Sequence, residues 1–246
     1  MSSFNPEACG LFAAWQDPVS GITSWILKER IAPVQQSFYF TNPSMSAEGR
    51  YLWFYCAFPP AGNGEYGRTM AVVDLAEGRV TYCPETMFSD ASPYVDPLTG
   101  DVYWCSGFSV YRRSPEAKSK VVLINSIPED VHKNRSYGAR IATHLTRSAD
   151  GKEFLMDMHL GREWILGSLP IDGGDFQHWQ TFDRCFNHAQ FSPTDPDFAL
   201  IAQDRWTDLI TGEGGDYYNR IWTIRRGEQA KPIYPDNQFG HEFWDA

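Results

Sequence analysis

One strand-turn-strand unit recurs about every fifty residues, and no other feature of the sequence limits the fold so tightly. It appears as TNPSMSAEGRYLWFY, ASPYVDPLTGDVYWC, ATHLTRSADGKEFLMD and FNHAQFSPTDPDFALIA, and begins again in FGHEFWDA. Each turn starts at Ser or Asp, whose side-chain oxygen can accept nearby backbone N–H groups, and most close on Gly, which adopts positive φ without a steric cost. Alternating apolar residues resume directly after the turn, as a strand with one buried face requires. The equivalent position in successive units is Asn42, Ser92, His144, His188 and His241.

A period of this length, with about four short strands in each unit, predicts an all-β fold, a β-propeller of four-stranded antiparallel blades. A β-sandwich is the alternative architecture, disfavoured by the regular spacing. Later strands of a blade are visible in GRTMAVVDLAEGRVTYC and YNRIWTIRRGEQAKPIY, while SIPEDVHKN offers a helical turn or two at most. We expect one propeller domain over residues 1–246 with about five blades represented. HEFWDA reads as the first strand of a blade that is not completed, so a C-terminally truncated chain is expected.

Composition narrows the partners. No run approaches the roughly 20 consecutive apolar residues of a membrane helix, and aromatic residues at 15% supply far more packing surface than a disordered chain carries. The net charge of −10 repels nucleic acid and anionic membranes, so neither is an expected partner, and an anionic ligand must be held by local cations. The five cysteines are odd in number and contain no C-x-x-C pair, which argues against a disulfide framework or a zinc knuckle. The N-terminal MSSFNPEACGLFAAWQ lacks the pattern of a secretory signal, so the expected location is cytoplasmic.

In a propeller, equivalent inner positions of different blades converge. His144, His188 and His241, three of six histidines, share one repeat coordinate, and clustered imidazoles suit metal binding or proton transfer. Arg220, in DYYNRIWTI, is the leading candidate for gripping a carboxylate bidentately; Arg205, Arg184 and Arg162 are weaker ones, more simply read as solvated surface charges. Trp206, Trp222 and Trp244 could stack on sugar rings, although packing between blades is the commoner use of such residues. There is no G-x-S-x-G elbow, H-E-x-x-H motif or phosphate loop, and GEGGDY at 212–217 reads as a hairpin or loop.

YFTNPSMSAEGRYLWF, NHAQFSPTDPDFALIAQD, YYNRIWTI and GHEFW together resemble the oligogalacturonate lyases, the family 22 polysaccharide lyases, and WQDPVSGITSWIL resembles their N-terminal strand. The likeness runs along most of the chain; its specific elements are HEFW and the strand carrying Arg-Ile-Trp. It implies a seven-bladed propeller that cleaves short oligogalacturonates, small acidic oligosaccharides, by β-elimination during pectin breakdown, assisted by a manganese-type divalent ion. Carried over by position, Arg220 and His241 are the catalytic pair and His188 lines the substrate pocket. The ligands of the implied Mn2+ fall on blades beyond residue 246, so no metal ligand is expected here. Two departures stand out: His144 occupies a position where the family is expected to have no histidine, and Gln203 stands where a second pocket histidine is expected; both are assigned to substrate binding. The resemblance makes the arginine the base, yet a guanidinium is almost never neutral, and a histidine is the easier proton acceptor. The competing expectation is a noncatalytic TolB-like propeller that binds protein or carbohydrate.

Overall fold

The computed structural model describes residues 7–63, 67–88, 91–133, 140–208, 211–234 and 239–245. It opens with a hairpin, β1 (Phe12–Gln16) and β2 (Thr23–Leu27). An antiparallel meander follows: β3 (Val34–Gln36), β4 (Tyr51–Ala57), β5 (Arg68–Asp74) and β6 (Arg79–Phe88), hydrogen-bonded in that order. A second four-stranded sheet holds β7 (Tyr94–Val95), β8 (Val102–Ser106), β9 (Ser109–Arg113) and β10 (Val122–Ser126). One helical turn, α1 (Glu129–His132), lies within SIPEDVHKN. The third sheet is β11 (Glu153–Leu160), β12 (Glu163–Pro170) and β13 (Gln177–Phe182). Isolated bridges Arg147↔Phe154 and Arg140↔His159 line the remaining side of β11. The fourth sheet is β14 (Phe186–Phe191) and β15 (Phe198–Gln203), then β18 (Ile221–Arg225) and β19 (Lys231–Pro232). Between β15 and β18 the chain makes a small hairpin, β16 (Trp206–Thr207) and β17 (Gly214–Gly215), which includes the GEGGDY stretch. Glycine is required there: a Cβ on Gly214 would lie 2.5 Å from the Trp206 carbonyl.

The repeated turns work as their residue types demand. Ser46 Oγ accepts the Tyr51 N–H, Asp96 Oδ1 accepts those of Leu98 and Thr99, Ser148 Oγ accepts those of Lys152 and Glu153, and Ser192 Oγ accepts those of Thr194 and Asp195. Gly49, Gly100 and Gly151 close the first three with φ of 77°, 72° and 76°.

The chain forms two compact units. One comprises Met1–Ser89, Val95–Tyr103 and Arg112–Val122; the other comprises Asp90–Tyr94, Trp104–Tyr111 and Leu123–Ala246. In the first, Phe12, Trp25 and Leu27 of the hairpin pack with Phe54, Cys56, Ala71 and Val73 of the first sheet. In the second, Leu155, Trp164, Leu166 and Trp179 of the third sheet meet Phe186, Phe191, Ile201 and Ile224 of the fourth. Large apolar side chains such as Phe54, Leu155 and Ile201 each contribute about 1.5–3 kcal/mol when fully removed from water.

The final repeat departs from expectation. Residues 239–245 form no strand. His241 has a φ of 62°, which interrupts an extended path, and the backbone carbonyl of Glu242 accepts a hydrogen bond from Gln190 Nε2 at 3.0 Å instead of joining a ladder. Trp244 Nε1 in turn donates to the Gln190 carbonyl at 3.2 Å.

Candidate functional site

The site candidates all lie in the second unit. β14 and β15 pair regularly until the register shifts between Asn187 and Gln190, a bulge that sets His188 at φ 53°. A non-glycine residue held there costs about 1–3 kcal/mol, which the surrounding contacts must offset. His144 belongs to the segment before β11, anchored by its bridge to Ser92: the Ser92 N–H donates to Thr143 O and the Leu145 N–H to Ser92 O, both at 3.0 Å. Three consecutive repeat positions, Ser92, His144 and His188, are therefore neighbours in space.

His144 Nε2 and His188 Nδ1 share a hydrogen bond of 2.9 Å, with the rings inclined at 72°. One buried carboxylate fixes the backbone on both sides. Asp157, from β11, accepts the N–H of Thr143 with Oδ1 and that of Ala189, at 3.1 Å, with Oδ2. The residue before one histidine and the residue after the other thus hang on the same side chain. Thr146 adds a second link, its hydroxyl accepting the Phe191 N–H at 3.0 Å. Burial pushes Asp157 above the ordinary carboxylate range, opposed by Arg140 and by its two backbone donors. Burial also drives His144 down to about 3, helped by His188 and Arg140. His188 goes down to about 4, first through burial and then through the charge of Arg220. Both imidazoles are neutral at neutral pH.

Arg220 sits immediately before β18 and is 8% exposed. Its Nη1 donates to the Gln203 carbonyl at 3.2 Å and pairs with Asp204 at 3.1 Å, while Nε and Nη2 face the two oxygens of Glu242, each at 3.4 Å. Tyr217 lays its ring against the guanidinium, 5.8 Å from the centroid. Burial works to lower the arginine's proton affinity, but Glu242 and Asp204 outweigh it and leave the pKa raised. An arginine so paired stays cationic.

His241 is exposed and, like Arg220, acts electrostatically to lower the proton affinity of His188; its neighbour Glu242 is buried. The structure thus brings His144, His188, Arg220 and the His241-Glu242 step into one neighbourhood. Gln203 is buried beneath Arg220, and its side-chain oxygen accepts the Tyr218 N–H at 3.2 Å. Arg162 and Arg205 are exposed and Arg184 is partly buried; they pair with Asp208 and Glu213, with Asp216 and with Asp183 respectively. Trp206 packs against Trp164, Trp222 against Phe186 and Trp244 against Phe198. All five cysteines are free thiols. Burial pushes those of Cys56, Cys83 and Cys185 up to about 12, which makes them poor nucleophiles.

Asp157, Glu242 and Arg140 were not among the sequence candidates. A lone aspartate inside the apolar run FLMDMHL was the available signal for the first, and adjacency to His241 for the second. Arg140, whose charge acts on both paired histidines, carried none. Among the described residues no group of three or more His, Cys, Asp or Glu is placed to hold a metal ion. His144 and His188 each commit one ring nitrogen to the other. The described residues do not fit a manganese-type site.

Successive antiparallel meanders with sheet-on-sheet cores define a β-propeller, and comparison with solved structures agrees. Over 95% of its length the chain superposes on an oligogalacturonate lyase in complex with manganese, with a TM-score of 0.67 and 14% identity. Over 91% it matches an oligogalacturonate lyase from Vibrio parahaemolyticus, with a TM-score of 0.61 and 12% identity. The chain spans 62% and 59% of those two proteins, less than two thirds of either. TolB from Acinetobacter baumannii aligns with a TM-score of 0.49 and 13% identity, over 94% of this chain and 51% of TolB. No protein-family model matches the sequence, and no curated protein does. At such identities the superposition on the two lyase structures establishes the propeller fold.

Proposed function

We propose that the chain acts on short oligogalacturonates as a β-eliminating lyase in pectin breakdown. The observation that carries this reading is the buried Arg220, held cationic by Asp204 and Glu242 beside a neutral histidine pair. Elimination removes the proton at C5 of a uronate, which is acidified when a cation draws charge onto the adjacent carboxylate. A neutral imidazole takes the proton, the C5–H electron pair becomes the C4=C5 double bond, and the glycosidic oxygen leaves C4 with its own pair and is protonated by water. A permanently charged arginine suits the electrophilic role and not the basic one, so the base is assigned to a histidine. Arg140 supplies a second positive charge beside the pair; its Nε is buried with no hydrogen-bond partner among the described residues. Local cations of this kind let an overall acidic chain hold an anionic sugar. The same reading places the protein in the cytoplasm, where its thiols stay reduced.

The test is incubation of the 246-residue chain with digalacturonate, with and without Mn2+, following the near-ultraviolet absorbance of the unsaturated product. Growth of that absorbance, abolished by Arg220→Ala, is the expected result. Persistence in the variant overturns the assignment of Arg220. Absence of product from every uronate oligomer overturns the lyase and leaves a binding propeller.

A further inference from the structure

Arg140 is the arginine of the second unit that the fold leaves uncommitted. Arg147 reaches across its own turn to the Gly151 carbonyl, and the other six described arginines of that unit each meet a carboxylate. Arg140 meets none: among the described residues its guanidinium makes no hydrogen bond or ion pair, and its Nε is buried without a partner. In a chain with 31 acidic residues, a half-buried cation left without a counter-charge is fitted to take one from a ligand. We propose that Arg140 binds a second carboxylate of the substrate: its fork takes the uronate on the leaving side of the scissile bond, while Arg220 faces the uronate that loses its C5 proton. The site then selects two adjacent acidic sugars. The identity of those sugars rests on the lyase reading; the assignment of Arg140 to a carboxylate does not.

Backbone geometry places the side chain. The His159 N–H donates to the Arg140 carbonyl at 2.8 Å, an antiparallel bridge, and directly opposed residues of such a pair share a face. His159 in turn shares its face of β11 with Asp157 and Leu155, two and four residues earlier. That face packs on the fourth sheet: Leu155 joins the core with Phe186 and Ile201, and Asp157 accepts the Ala189 N–H. Arg140 therefore projects toward the sheet that holds Arg220 at the start of β18. In agreement, the charges of Arg140 and Arg220 both act on Cys185, just before β14, and on His188 within it.

What each arginine already holds sets its use. Asp157, on the same face as Arg140, spends its oxygens on the N–H groups of Thr143 and Ala189 and does not pair with the guanidinium. Of the Arg140 nitrogens only Nε is both buried and unpartnered, so the two terminal nitrogens reach solvent and present parallel N–H groups, the pattern a carboxylate accepts end-on. Arg220, by contrast, is buried between Asp204 and Glu242. Two uronates bring two carboxylates to these two cations. A neutral sugar in the leaving position brings only hydroxyls and leaves Arg140 without a counter-charge.

The experiment compares two disaccharides on the 246-residue chain: digalacturonate, and its analogue with galactose in place of the non-reducing galacturonate, which keeps the reacting uronate and its glycosidic bond at C4. In the wild type the analogue should show a KM raised about 10- to 100-fold, with kcat changed less than about threefold. Arg140→Met should raise KM for digalacturonate by a similar factor and leave that for the analogue within about twofold, the coupling expected of two groups in contact. Equal KM values for the two sugars in the wild type, or an equal rise for both in the variant, overturns the proposal. Arg140→Lys keeps the charge but not the fork and carries the test should the Met variant not fold: the preference for digalacturonate should shrink without vanishing, and an unchanged preference overturns the proposal. Titration calorimetry with both sugars supplies a readout that needs no turnover. If digalacturonate binds tighter than the analogue by the same factor, Arg140→Met removes the difference and no uronate is cleaved, the lyase reading fails alone. If cleavage proceeds without a preference that depends on Arg140, only this inference fails; if neither sugar binds or is cleaved, both fall.

Discussion

Taking the protein from about pH 8 to about pH 5 should cost about 2 kcal/mol of stability through His144 alone. Burial, with the added influence of His188 and Arg140, holds this histidine down at about 3, against an ordinary value of 6.5. In the window between those values the unfolded chain binds a proton that the folded chain refuses. Stability therefore rises with pH across the window and is lost on acidification below 6.5. Each pH unit below that point is worth about 1.4 kcal/mol, and about 1.5 units separate it from pH 5. The result does not depend on the depth of the depression, provided the folded value stays below 5. His188, down to about 4, adds a loss of the same sign, reduced because its ring is only partly buried. His159, also lowered by burial, acts in the same direction. Asp157 and Asp101 are raised by burial and act in the opposite direction, at pH values closer to the carboxylate range.

Urea denaturation at the two pH values measures the effect, with the slope m checked for constancy. The wild type should lose about 3 kcal/mol, and His144→Leu about 2 kcal/mol less than the wild type. A wild-type midpoint that does not move, or a variant with the wild-type pH dependence, would show that His144 is charged in the folded state and that the neutral pair is misread.

Four further perturbations probe the same framework. Asp157→Ala strands the buried N–H groups of Thr143 and Ala189 and should destabilise by about 2–5 kcal/mol in chemical denaturation. Glu242→Gln removes one of two carboxylates from Arg220; because Asp204 remains, the loss should be about 1–2 kcal/mol rather than that of a fully broken buried pair. Gly100→Ala, at φ 72° and with its new Cβ 2.6 Å from the Tyr51 ring, should cost at least about 1 kcal/mol, seen as a lower Tm. Arg220→Lys keeps the charge but not the fork and should lower kcat/KM on digalacturonate at least about 100-fold.

The repeat was legible because its chemistry is local. A serine or aspartate that accepts N–H groups two to five residues ahead, followed by a glycine at positive φ, depends on nothing distant, so Ser46, Asp96 and Ser148 announced their turns in the linear sequence. The short apolar runs after the turns marked β4, β8, β11 and β15 for the same reason, but the expected alternation with one buried face did not hold: these strands are buried on both faces. What failed was HEFW as a strand. Its path is set by Gln190 and Arg220, which reach it from 52 and 22 residues away and satisfy the groups a ladder would have used. Propensity cannot anticipate hydrogen bonds of that range.

The histidine positions were legible for a related reason: a repeat coordinate becomes a spatial coordinate once each repeat folds alike, so counting along the chain located Ser92, His144 and His188 beside one another. Their chemistry was not. The count cannot say that the rings meet through Nε2 and Nδ1, nor that Asp157 spans their backbones, because that aspartate lies on the second strand of its own unit and has no counterpart at the shared coordinate. Arg220 shows the same division. Its identity pointed to carboxylate recognition, but its state is decided by Glu242, adjacent to His241 in sequence and selected only by the irregular course of residues 239–245. Under the proposed lyase reading, an arginine bracketed by Asp204 and Glu242 would have to attract a uronate against two negative charges already in place. The long 3.4 Å contacts to Glu242 make that partner the one a substrate carboxylate would displace, so Glu242→Gln should lower KM for digalacturonate even as it lowers stability. A KM that rises instead would mean Glu242 orients Arg220 for substrate and does not compete with it.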